Sequence, residues 1–183
     1  GAQRLLQLTR DEIEGMLREN ADEPYADRIA KIRSLMPDAF IGIDVIVGFP
    51  GESEEDFEEL CEFVERVRFD RLGAFAYSEE EGSPSALTME DDVPFEVKED
   101  RVERLMKIQK RISLKLNAER VGKRMRVIID SKEGDFWIGR SQYDSPEVDE
   151  EILVTSAVPL EIGQMVDVVV TDCEEYDLYA EVV

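Results

Sequence analysis

Two thiols, a run of carboxylates and one glycine-bearing turn are the parts of this sequence that could do chemistry. Cys61 and Cys173 are its only cysteines and lie far apart, so the sequence contains neither a disulfide framework nor a Cys-x-x-Cys metal site. Cys61 shares a helical face with Phe57, Leu60, Val64 and Val67 and reads as a core residue rather than a ligand. There is no histidine, which removes the commonest general base, the Ser-His and Cys-His nucleophile pairs and most zinc chemistry. Glu79-Glu80-Glu81 offers three carboxylates, but consecutive residues do not converge on one atom and such runs are ordinarily solvated. No catalytic residue and no metal ligand is assigned.

The turn Gly48-Phe49-Pro50-Gly51-Glu52 follows a strand-like run, and glycines there let backbone groups approach a ligand at the carboxyl edge of a parallel sheet. It is not built for phosphate. It contains no lysine, and Glu52, Glu54, Glu55 and Asp56 already occupy the positive end of the helix that follows. Taken alone, the turn reads as structural.

The elements that position these residues follow from periodicity. Thr9 to Glu12 has capping-box spacing ahead of Ile13, Met16 and Leu17. Pro24 opens a second helix with a stripe of Ile29, Ile32, Leu35 and Met36. Phe40 to Val47 is β-branched and almost continuously apolar, as in a strand covered on both faces of a parallel sheet. Ser53 caps the next helix, and Arg71 to Tyr77 is the next strand, which makes one βαβ unit. Ser78 to Asp92 reads as a surface loop. Pro94 opens a long helix with a stripe of Val102, Leu105, Ile108, Ile112 and Leu116.

After Gly122 come five short strand-like runs, 125–129, 136–139, 152–154, 165–171 and 178–183, separated by Lys132-Glu133-Gly134, Ser145-Pro146 and Ile162-Gly163. This pattern predicts a small oligonucleotide/oligosaccharide-binding-type barrel. The fold class is thus α/β over 1–120 followed by an all-β barrel over 121–183.

The chain has 183 residues and a formal net charge of -22, a field that repels phosphate backbones and attracts basic proteins. Trp137, Tyr143 and Tyr179 could stack bases, but base-stacking barrels add a positive groove. Residues 121–183 carry five bases against fifteen acids, which argues against nucleic acid as a partner. No apolar run approaches a membrane-spanning length, and a cytoplasmic location is expected.

Four blocks, VGFPGESEEDFEEL (47–60), FDRLGAFAYSEEEGSPS (69–85), VGKRMRVIID (121–130) and IGRSQYDSPEVD (138–149), together resemble the radical S-adenosylmethionine methylthiotransferases. The last two, with EEYDLYAEVV (174–183), look most like the branch that modifies an aspartate of a small-subunit ribosomal protein, the RimO type. The resemblance implies the last strands of a partial α/β barrel followed by a TRAM domain. It implies S-adenosylmethionine as cofactor, with Val47, Gly48, Phe49, Ala76 and Tyr77 along its pocket. It also implies two four-iron, four-sulfur (4Fe-4S) clusters in an intact parent enzyme, held by cysteines this chain lacks, so the chain alone is expected to be inactive. The expected partner is a basic ribosomal protein, with Trp137, Arg140 and Tyr143 as candidate contacts and strand addition at a free barrel edge as one docking mode. A transfer-RNA-modifying relative and a non-catalytic binding module stand as alternatives.

Overall fold

A computed structural model describes residues 25–144 and 151–183. The expected capping box at Thr9, the helix start at Pro24 and the Ser145-Pro146 turn lie outside them. The chain divides into two compact units, Gly1–Ile41 and Gly42–Val183. In the first, α1 (Tyr25–Leu35) has the expected register but buries only Ile29 of its stripe.

The second unit opens with the βαβ unit. β1 (Gly42–Val47) and β2 (Arg71–Ala76) pair in parallel around α2 (Glu54–Val67). Ser53 caps α2 as expected. Its hydroxyl accepts the Asp56 amide at 3.1 Å while the Asp56 carboxylate accepts the Ser53 amide at 2.8 Å. Phe57, Cys61, Val64 and Val67 form the buried face of α2.

The expectation that β1 is covered on both faces does not hold. From Gly42 to Ile46 its residues alternate between exposed and part-buried, only Val47 is fully buried, and the cross-strand pair Ile46 and Phe75 is 60% and 57% exposed. Helices cover one face of this two-stranded sheet, so a continuous apolar run here leaves half its side chains in the open. The loop 78–92 contains a short helix, α3 (Pro84–Thr88), whose first turn is capped by Ser83.

α4 (Phe95–Ala118) packs along β2 and reaches the barrel. Leu105 and Ile112 of its predicted stripe are buried, whereas Val102, Ile108 and Leu116 are only part-buried. The rest of its buried face is polar: Lys98, Arg101, Gln109, Ser113 and Asn117.

Five strands then close a barrel: β3 (Arg124–Glu133), β4 (Phe136–Arg140), β5 (Ile152–Thr155), β6 (Met165–Cys173) and β7 (Leu178–Val182). Their order is β3-β4-β5-β7-β6, and β6 returns to β3. All pairs are antiparallel except β5 with β7. Inward residues such as Val127, Ile129, Val154, Val168 and Leu178 form its core. Register shifts at Asp130 and Thr171 bend the two longest strands around it. Closure leaves no unpaired edge strand among the described residues, which overturns strand addition as a docking mode.

Candidate functional site

The carboxyl ends of β1 and β2 meet in register. Val47 lies opposite Ala76, and the Tyr77 amide donates to the Val47 carbonyl at 2.8 Å. Immediately beyond, Gly48 turns the chain with φ 72°, and Phe49 sets its ring edge-on to Tyr77 with centroids 5.1 Å apart. Val47, Gly48, Phe49, Ala76 and Tyr77 are therefore brought together at one end of the sheet. They offer strand-end backbone and a part-open aromatic pair but no charge. The Tyr77 hydroxyl donates to Ser85 Oγ at 3.1 Å and so ties α3 to this end.

Behind the edge stand charges that sequence reasoning missed. Lys98 Nζ lies 2.6 and 2.7 Å from the carboxylate oxygens of Asp91, donates to the Tyr77 carbonyl at 3.3 Å, and sits 5.0 Å from the Tyr77 ring centroid. Arg101 donates to the Glu52 carboxylate at 2.6 Å and to the Glu52 carbonyl at 3.2 Å. Glu52 in turn accepts the Gly48 amide at 2.8 Å. Arg104 extends the series, with bonds to Glu58 and, at 2.6 Å, to Glu54. That guanidinium holds the Glu54 carboxyl below its ordinary range. The signal was present as Lys98, Arg101, Leu105, Gln109 and Ile112 at helical spacing, with acids on the segments they face. A stripe defined by apolarity alone passes over it.

The three barrel candidates do not converge. Trp137 pairs with inward-facing Val154 and packs against the barrel core, with Lys132 Nζ 4.9 Å from its ring centroid. Arg140, an odd number of positions further along the same strand, faces the other side. There its Nε lies 3.0 Å from an Asp130 carboxylate oxygen. Tyr143 stands in the turn after β4, where its amide donates to Ser141 Oγ at 3.2 Å. Tyr179, on the outer surface, donates to Glu174 at 3.3 Å and packs against Phe136. The charge of Glu174, followed by desolvation, pushes the Tyr179 hydroxyl pKa up.

Among the described residues no three His, Cys, Asp or Glu side chains are grouped to hold a metal. Cys61 is buried on α2, Cys173 packs against the barrel core, and burial pushes both thiols up. A groove of about 600 Å³ runs along α4 past Lys107, Lys110 and Arg111. These cations face Glu103 at 2.6 Å, Glu175 at 3.4 Å and Glu65 at 2.9 Å, so the groove is not an open anion site. No helix among the described residues is long and apolar enough to cross a membrane.

Residues 121–183 match the TRAM domain family. Over nearly its whole length the chain is similar to proteins named ribosomal protein uS12 methylthiotransferase RimO. The Bacteroides thetaiotaomicron protein is 50% identical over 168 residues, covering 91% of this chain and 38% of the relative. The Parabacteroides distasonis protein is 45% identical over 97% of this chain and 41% of the relative. The Christiangramia forsetii protein is 42% identical over 97% and 39%. The motif blocks and these relatives thus point to the same RimO-type methylthiotransferases. The chain spans about two-fifths of the length of the relatives it matches.

Proposed function

We propose that this chain is the C-terminal part of a radical S-adenosylmethionine methylthiotransferase, supplying one wall of the cofactor pocket and a substrate-docking TRAM barrel. The parent enzyme would place a methylthio group on an aspartate of the small-subunit ribosomal protein uS12. The similarity to uS12 methylthiotransferases across more than nine-tenths of the chain carries this reading. In it, residues 1–120 complete a partial parallel barrel and 121–183 form the docking domain. The open face of the β1–β2 sheet, with Ile46 and Phe75, becomes part of that barrel's inner wall. The working location is the cytoplasm, where ribosomal proteins are made.

Adenosylmethionine fits the β1–β2 edge as one wall. Gly48, with no side chain, lets a ligand approach the backbone at the strand end, and the Phe49–Tyr77 pair supplies an apolar face. The two 4Fe-4S clusters of the parent do not fit this chain's donor set, since its two thiols sit in separate packed environments and each cluster needs several thiolates together. The contribution of this chain is to bind and orient.

Docking of a basic protein is supported by sign. Residues 121–183 carry five bases against fifteen acids, and a groove that binds nucleic acid gains affinity in proportion to the Lys and Arg it presents. A lysine- and arginine-rich partner would be steered in by this field, with an association rate that falls steeply as salt rises. Titrating the chain against purified uS12 and against a transfer-RNA anticodon stem-loop in one buffer tests the reading. Tighter, salt-sensitive binding of uS12 is expected; tighter binding of the RNA overturns it in favour of a transfer-RNA-modifying enzyme.

A further inference from the structure

The turn Gly48 to Glu52 is held from behind through one carboxylate. Glu52 Oε1 accepts both the Gly48 amide at 2.8 Å and Arg101 Nη1 at 2.6 Å. Arg101 is 4% exposed and Glu52 14%, so this charge-assisted bond is screened from water, and losing either partner strands a buried polar group. The turn needs such a hold, because Gly48 and Gly51 both sit at positive φ, 72° and 84°, where glycine adds freedom rather than stiffness. One helical turn earlier, the Lys98 stem fills the space beside Gly48, where an added Cβ would lie 2.4 Å from Lys98 Cγ, while Lys98 Nζ holds the Tyr77 carbonyl. Two buried cations on one helix face thus grip the ends of both strands.

We infer that Arg101, acting through Glu52, is a positioning residue that fixes the Gly48 amide, and with it the direction in which the Gly48-Phe49 backbone meets adenosylmethionine. The inference rests on reading the strand edge as a cofactor wall, and two measurements separate the two claims. In the ¹⁵N-glycine-labelled chain, Arg101→Met and Glu52→Gln should each speed hydrogen exchange at the Gly48 amide by about tenfold or more. Arg101→Lys should restore part of the protection, and Arg111→Met, whose partner Glu65 lies elsewhere, should change nothing. In the full-length, cluster-loaded enzyme, Arg101→Met and Glu52→Gln should raise the KM for adenosylmethionine about tenfold and leave kcat at saturation within about twofold. Glu52→Gln keeps the shape of the side chain and serves as the readout if Arg101→Met fails to fold. Unchanged exchange at Gly48, or faster exchange with unchanged KM, overturns the positioning role. A wild-type enzyme that does not bind adenosylmethionine overturns the reading of the edge, and the inference with it.

Discussion

At the scale of single residues, the two glycines of the β1–α2 turn separate backbone strain from crowding. Both have positive φ, 72° at Gly48 and 84° at Gly51, but an added Cβ at Gly51 meets nothing within 4 Å, while at Gly48 it would press on the Lys98 stem. Gly51→Ala should therefore cost only the left-handed penalty of about 1 kcal/mol, whereas Gly48→Ala should cost about 2 to 4 kcal/mol because the Lys98 grip must also give way. Urea titration of the two variants checks this, and equal losses would mean that Lys98 swings aside freely. The place of the turn was legible in the sequence, because glycines follow a β-branched run. Its bracing was not: Glu52 looked like one of several acids at a helix start, and the arginine that claims it lies 49 positions away. The barrel candidates show the same limit. Trp137 and Arg140 were legible as side chains able to make contacts, yet β4 runs one residue past the expected 136–139 to include Arg140, and strand parity then sends the two to opposite faces.

At the scale of elements, α2 was the most legible, because both its cap and its apolar face are local. Ser53 and Asp56 exchange bonds within one turn, and the Ser53 bonds hold the Asp56 carboxyl below its ordinary value of 3.8. Ser53→Ala should destabilise the protein by about 1 kcal/mol at neutral pH, measured by urea unfolding. A depressed carboxyl contributes stability above its unfolded pKa and loses it as pH falls through the lower folded value. The gap between wild type and Ser53→Ala should therefore narrow below about pH 4. A gap that stays constant to lower pH would show that the Asp56 charge takes no part in the cap. α4 was harder to read. Its buried face mixes Leu105 and Ile112 with Lys98, Arg101, Gln109 and Asn117, and each polar member is tolerated because something distant pairs with it. Gln109, for example, donates to the Phe69 carbonyl at 2.9 Å. Periodicity finds the helix, but only tertiary structure tells which of its charges are buried.

At the scale of the whole molecule, the barrel differs from the α/β part in being closed on itself. Its core is drawn entirely from its own strands and the Leu160 loop, whereas β1 and β2 leave one face open. Turn residues between short strands made the five-stranded barrel legible, but not its strand order, in which β5 pairs in parallel with β7 and β6 returns to β3 across the whole domain. Polar contacts run from the α/β part to the barrel: Asn117 Nδ2 of α4 donates to the Glu174 and Glu175 carbonyls at 3.3 and 3.5 Å, Lys110 of α4 meets Glu175 at 3.4 Å, and Arg71 of β2 meets Asp144 at 3.2 Å. Water can replace the first two bonds, and the arginine leaves with the segment that carries it. Residues 121–183 expressed alone should therefore fold, though a domain of this size has little stability to spare. The molecule carries its own reporter. Trp137 is the sole tryptophan and packs against the barrel core, so its fluorescence follows core packing while far-UV circular dichroism follows the strands. The two signals should give one coincident urea transition. If Trp137 is already solvated in the absence of denaturant while strand signal persists, the barrel needs α4 to set its core, and the docking domain must be redrawn to include that helix.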